Sequence, residues 1–67
     1  MPKFEVVYWS SWYEAHSTQG GNMTFVVEAA DEKQAAEAGW SLAYRMVCDH
    51  GTPPGTLHLV SVKEVRP

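Results

Sequence analysis

One segment of this chain has the composition of a long helix, and the signals that start and stop a helix stand at its two ends. Residues 31–47 are rich in alanine and contain no proline, whereas Gly51 and Pro53-Pro54 lie just beyond them. Asp31 stands three residues before Gln34, which is the spacing of reciprocal side-chain capping at a helix start. Proline cannot continue a helix. The sequence therefore predicts a helix that begins at Asp31 and ends before Gly51.

Three other segments have the composition of β-strands. β-Branched and aromatic residues dominate residues 3–11, which we predict as the first strand. Residues 23–30 and 57–65 are predicted as the second and third strands. Gly20-Gly21-Asn22 permits a chain reversal, so we expect the first two strands to form a hairpin with a long loop over residues 10–22.

The order strand, strand, helix, strand determines the predicted fold. The third strand returns antiparallel to the first and lies beside it, which gives the spatial order 2-1-3. We predict an α+β domain of ββαβ type, with a three-stranded antiparallel sheet and one helix packed on one face. A chain of 67 residues has room for a single domain, residues 1–67. In the third strand, simple alternation puts Leu57, Leu59 and Ser61 on one face and Val60 and Val62 on the other.

Helical spacing predicts which side chains of the helix face the sheet. The predicted stripe consists of Ala35, Gly39, Leu42, Ala43 and Met46. The second strand is predicted to turn Met23, Phe25, Val27 and Ala29 toward the same core. Gly39 lies at the centre of the stripe, where a larger side chain would push the helix away from the sheet. Trp40 and Tyr44, one turn apart, fall at the margin and are predicted to be partly buried.

The first strand carries apolar side chains on both faces, but one helix covers only one face. The other face is predicted to present Val7, Trp9, Val26 and Leu59, which we assign to self-association. A second copy would compensate for the small core of so short a chain, so we expect a homodimer. As an alternative, the loop over residues 10–22 folds back over this face.

Aromatic residues are the strongest functional signal in the sequence. The chain has three tryptophans and three tyrosines, which cannot all pack behind one alanine-rich helix. Both residue types are enriched at binding hot spots. The aromatic residues that we assign to partner binding are Trp9, Trp12, Tyr13, Trp40 and Tyr44. The sequence thus predicts a non-enzymatic interaction protein that self-associates and binds a host or partner protein.

Two other binding functions follow from the same aromatic residues. In the first, Trp9, Trp12 and Tyr13 line an interface between copies and clamp a planar, nucleotide-like molecule. In the second, an aromatic sheet face stacks the bases of single-stranded nucleic acid. Eight acidic residues against five basic ones give this chain a net charge of -3. That sign makes nucleic acid an unfavourable partner.

Cysteine and histidine are the residue types that could carry metal or nucleophilic chemistry here. Cys48, His50 and His58 are the weak candidates for a metal site or for a thiol and its base, with His16 on the first loop. The spacing of Cys48 and His50 is not that of known zinc sites. Catalysis would also need an enclosed pocket, which a small sheet with one helix rarely forms. We predict no metal, no cofactor, no catalytic residue and no enzymatic activity.

A strand that passes into a capped, alanine-rich helix occupies residues 25–39, and a closing strand occupies residues 60–65. This pattern resembles small uncharacterised proteins encoded by bacteriophages, particularly those of actinobacterial hosts. The resemblance covers most of the chain and implies an accessory protein that acts in the host cytoplasm. The sequence also has no apolar run of the ~20 residues that a membrane span needs, and no signal peptide is recognisable after Met1. We therefore expect a cytoplasmic protein.

Overall fold

Three strands and two helices form in residues 1–18, 20–48 and 56–65, the part of the chain that the computed structural model describes. In chain order they are β1 (Lys3–Ser10), α1 (Ser11–His16), β2 (Asn22–Glu28), α2 (Glu32–Cys48) and β3 (Leu57–Val65). The strands form one sheet in the order β2-β1-β3, and both pairs are antiparallel. The predicted ββαβ fold and strand order are confirmed.

The helix α1 lies in the segment that the sequence analysis predicted as a loop. Ser10 ends β1 with extended backbone angles, φ -134° and ψ 133°, and its hydroxyl accepts a hydrogen bond of 3.4 Å from the backbone N–H of Tyr13. This is helix N-capping. Glu14 lies in the first turn, where its charge complements the helix dipole. The prediction of a continuous loop over residues 10–22 is therefore wrong for this part.

The start of α2 confirms the predicted cap. Asp31 Oδ1 accepts a 2.8 Å hydrogen bond from the backbone N–H of Gln34, and the Asp31 carbonyl accepts one of 3.0 Å from the N–H of Ala35. The Gln34 side chain accepts a 3.3 Å bond in return from the backbone N–H of Ala30. Asp31 thus satisfies a backbone donor that the helix start would otherwise leave without a partner, and the return bond of Gln34 reaches Ala30, one residue before the position of a capping box.

The core lies between α2 and one face of the sheet. Its buried apolar residues are Phe4, Val6, Tyr8, Met23, Val27, Ala29, Ala35, Ala43 and Val47, and Phe25 packs against them. The predicted inward face of the second strand is therefore confirmed. Tyr8 spans the two layers because its hydroxyl donates a 2.8 Å hydrogen bond to the Ala36 carbonyl of α2.

The buried face of α2 is rotated relative to the predicted stripe. Its buried residues recur every fourth position, at Ala35, Gly39, Ala43 and Val47. Leu42 and Met46, which were predicted to face the sheet, are 39% and 36% exposed. The cause is the close approach at Gly39, whose missing Cβ would lie 2.5 Å from Val6 Cγ1. This contact fixes the rotation of α2 about its axis and buries Val47 in place of the two longer side chains.

A β-bulge in β3 changes which face its side chains occupy. Val7 pairs with Ser61, but Tyr8 pairs with Leu59, so Val60 is an extra residue without an opposite partner. Directly opposite residues share a face of the sheet. Leu59 therefore lies on the face that carries Tyr8 and α2, not on the face predicted for it. Simple alternation fails in β3 because the bulge reverses the order of the faces at Val60.

Candidate interaction surfaces

The face of the sheet that α2 does not cover, here called the open face, has side chains from all three strands. From the start of β1 to its end, the four rows across β2, β1 and β3 are Glu28–Lys3–Val65, Val26–Glu5–Lys63, Thr24–Val7–Ser61 and Asn22–Trp9–His58. Two acidic and two basic residues occupy the first two rows. The predicted self-association set is thus divided, because Val26 lies opposite Glu5 and Leu59 lies on the other face.

Trp9 lies at one end of the open face and is half-buried. Its ring contacts the ring of His58, with centroids 5.8 Å apart and planes tilted by 32°. Gly21 packs against the same indole so closely that a Cβ there would lie 2.6 Å from Trp9 Nε1. The segment between β1 and β2 thus contacts the Trp9 indole through Gly21, whereas Trp12 and Tyr13 pack against the core, so its coverage of the open face stays a prediction.

Trp12 and Tyr13 project from α1, and both pack partly against the core. The ring of Trp12 stacks on that of His16, with centroids 4.3 Å apart and an interplanar angle of 15°. His16 Nδ1 also donates a 2.8 Å hydrogen bond to the Trp12 carbonyl oxygen. These two aromatic residues therefore contribute to packing as well as to the surface, and they are less accessible than the sequence analysis assumed.

Trp40 and Tyr44 form a stacked pair on α2, with ring centroids 4.9 Å apart and planes inclined by 22°. Trp40 is 41% exposed, which agrees with its predicted place at the margin of the buried stripe. Cys48 continues the same side of the helix one turn later. A hydrogen bond to the Cys48 side chain, together with the charge of that group, raises the pKa of Tyr44. We call Trp40, Tyr44 and Cys48 the helix surface.

The candidate metal ligands and nucleophile do not come together in the described residues. Cys48 is an exposed free thiol at the end of α2, and His58 lies on the open face beside Trp9. His50 lies outside the described residues. Across residues 1–18, 20–48 and 56–65 there is no group of three or more cysteine, histidine or acidic side chains that could hold a metal ion.

A shallow concavity of about 420 Å³ lies at the end of the sheet opposite Trp9. Its lining residues are Met1, Pro2, Lys3, Glu64 and Val65. Trp9, Trp12 and Tyr13, the residues predicted to clamp a small ligand, do not line it. Because the strands rise about 3.3 Å per residue, Lys3 and Trp9 lie about 20 Å apart along β1. The ligand hypothesis therefore depends on a pocket formed between copies.

Three structurally important residues were missed by the sequence analysis. Ser10 is fully buried as the cap of α1, Gly21 is buried against Trp9, and Val47 of α2 is buried in the core. A signal was present for Ser10, because serine is a preferred N-cap and Glu14 follows at a position in the first helical turn. No local signal distinguishes Val47 from Met46, since both are apolar and adjacent.

Comparisons with known proteins give no family assignment. No family model matches the chain, and no significant match was found among curated proteins or solved structures. The resemblance to bacteriophage proteins therefore stays a prediction. No helix in the described segments is both long enough and apolar enough to cross a membrane.

Proposed function

We propose that this chain is a non-enzymatic interaction protein that binds a partner protein through the helix surface and that self-associates. The observation that supports partner binding is the exposed Trp40–Tyr44 stack. Tryptophan and tyrosine supply large, rigid contact areas at a low entropic cost, and they are enriched among the residues that dominate binding energy. If the chain is encoded by a phage, the partner is a protein of its host.

The stacked geometry favours recognition over packing as the role of these rings. Stacking on Tyr44 holds the Trp40 indole in one orientation before any partner arrives, which lowers the entropy that binding must remove. On the side of α2 that faces the sheet, the core is occupied by Ala43 and Val47 and not by these two rings. The partner expected from this chemistry is a protein with an apolar cleft that accepts one indole ring.

The test compares Trp40→Ala with Leu42→Ala. Both side chains are large, apolar and similarly exposed, at 41% and 39%, but only Trp40 belongs to the helix surface. The partner is first identified by photocrosslinking in the source cells from benzoylphenylalanine at Tyr44. Calorimetry with the purified partner should then show a loss of about 2 kcal/mol or more for Trp40→Ala and under about 1 kcal/mol for Leu42→Ala. Equal losses, or an unfolded Trp40→Ala variant by circular dichroism, would contradict the proposed role.

Self-association is supported by the small size of the core and by a sheet that α2 covers on one face only. A domain of this size often needs additional stabilisation from a second subunit. Sedimentation velocity at tens of micromolar should show a species of twice 7.5 kDa. A purely monomeric species under those conditions would remove this part of the proposal. The free thiol of Cys48 is compatible with the reducing cytoplasm, where we place the protein.

A further inference from the structure

The two outer strands of the sheet differ in how well they are protected against pairing with another strand. Natural edge strands carry charges, prolines or β-bulges that prevent edge-to-edge association. In β3 the bulge at Val60 and the charged pair Lys63-Glu64 provide such protection. In β2 the register with β1 is regular over all seven residues, and Glu28 at the end is the first charged or proline residue. β2 is therefore the unprotected edge.

Two hydrogen bonds determine which backbone groups of β2 point outward. The N–H of Ser10 bonds to the Gly21 carbonyl at 2.9 Å, and the N–H of Ala29 bonds to the Pro2 carbonyl at 3.1 Å. Alternate residues of an antiparallel strand bond to the same neighbour, so Met23, Phe25 and Val27 direct their backbone groups toward β1. The residues that direct N–H and C=O groups away from β1 are Asn22, Thr24, Val26 and Glu28. In the described residues no strand lies beside them.

We propose that β2 pairs antiparallel with β2 of a second copy, which gives one continuous six-stranded sheet across a twofold axis at Phe25. This pairing rests on the self-association proposed above and specifies which strand of each copy takes part and in which register. In full overlap, Thr24 lies opposite the partner's Val26, and Asn22 lies opposite the partner's Glu28. These are the residues whose backbone groups point outward, so each such pair can form two hydrogen bonds.

The side chains of β2 are compatible with this self-pairing. On the face that α2 covers, Met23 meets the partner's Val27, and the two Phe25 rings meet on the axis at a pair without backbone hydrogen bonds, where side chains approach most closely. On the open face, the 61% exposed Val26 gains a neighbour in the partner's Thr24. No two like charges lie opposite each other, because Glu28 faces an asparagine. An arbitrary extended peptide would not supply this match automatically, whereas a second copy does.

Proline at an outward-facing position separates edge pairing from other modes of association. Thr24→Pro removes an N–H that bonds to no residue of β1, so the sheet stays intact while one outward donor is lost. Glu64→Pro is the matched control on the other edge of the sheet. The residues of β1 whose backbone groups do not bond to β2 are paired with Ser61 and Lys63 of β3. The N–H of Glu64, next to Lys63, therefore points away from β1. We expect Thr24→Pro to raise the dimer dissociation constant at least about tenfold and Glu64→Pro to leave it unchanged.

Three other results would overturn the inference in different ways. A monomeric wild-type chain would remove self-association and the edge pairing together. A dimer that survives Thr24→Pro but dissociates on Val7→Lys would keep self-association and place it on the open face instead. If Thr24→Pro fails to fold, amide hydrogen exchange of the wild type decides. The Thr24 and Val26 amides should gain protection with rising protein concentration, whereas the Glu64 amide should not. Unchanged exchange at both Thr24 and Val26 would refute the pairing.

Discussion

Replacement of Gly39 by alanine should destabilise this protein, although alanine is the better helix former. Gly39 lies near the middle of α2, where the change to alanine would ordinarily contribute about 1 kcal/mol of helix propensity. The added Cβ, however, would lie 2.5 Å from Val6 Cγ1 and 2.9 Å from Val6 Cβ. Favourable carbon contacts lie at about 3.5–4.0 Å. Val6 is fully buried and its Cβ is attached to the backbone, so a rotamer change cannot relieve the overlap.

The net effect follows from these two opposing terms. Overpacking of a well-packed core costs about 1–3 kcal/mol, and the contact with Val6 Cβ places this case near the upper end. With about 1 kcal/mol of propensity subtracted, the unfolding free energy should fall by about 2 kcal/mol. In a domain of this size that is a drop in melting temperature of roughly 8–16 °C. Thermal and urea denaturation followed by circular dichroism measure both quantities.

Two controls separate packing from propensity. Ser41 is exposed on the same helix, so the difference between Ser41→Ala and Ser41→Gly gives the propensity term alone. Val6→Ala removes Cγ1, the atom nearest to the added carbon, and in that background the penalty of Gly39→Ala should shrink by about 1 kcal/mol or more. If Gly39→Ala instead raises the stability by as much as the Ser41 pair indicates, the close approach of α2 to β1 is not as described.

Two further predictions concern the other contacts that hold the layers and the loop together. Tyr8→Phe should cost about 1 kcal/mol at neutral pH through loss of the bond to the Ala36 carbonyl. Burial raises the pKa of Tyr8 above its ordinary value of 10.0, so the unfolded chain loses the hydroxyl proton at a lower pH than the folded protein does. Wild-type stability therefore falls as pH rises above about 10. Urea titrations at several pH values should show a smaller loss of unfolding free energy at alkaline pH for Tyr8→Phe than for the wild type. Gly21→Ala should cost about 1–3 kcal/mol, since its Cβ would lie 2.6 Å from Trp9 Nε1 and 2.8 Å from the Ser10 carbonyl; stability within about 0.5 kcal/mol of the wild type would contradict the packing at Trp9.

The parts of the fold that local chemistry determines could be predicted from the sequence. The cap at Asp31 and Gln34 involves residues three positions apart, and the predicted bounds of β3 agree with those observed because prolines stand in the sequence on both sides of its apolar residues. The stacking of Trp40 on Tyr44 is likewise a consequence of one helical turn. Each of these features depends on residues that are close together in the sequence.

The errors arose where a distant residue decides between two local alternatives. Met46 and Val47 are both apolar, and the contact of Gly39 with Val6, far away in sequence, decides which one is buried. The bulge at Val60 leaves no mark in a run of apolar residues, so Leu59 was placed on the wrong face. For the candidate site, aromatic composition selected the residues but could not show that Trp12 and Tyr13 pack partly against the core.

The bulge in β3 bears on how large an assembly of this protein can become. A chain with two edges competent for pairing can add a copy at each end without limit, as in fibres, whereas a chain with one such edge stops at two copies. When β2 pairs with β2 of the second copy, the two β3 strands are the edge strands of the six-stranded sheet, and each carries the bulge at Val60. Deletion of Val60 would leave the remaining side chains of β3 on their present faces, yet it would make the register of this edge strand regular. In the proposed dimer, the bulge at Val60 together with the charged pair Lys63-Glu64 would therefore limit the assembly to two copies.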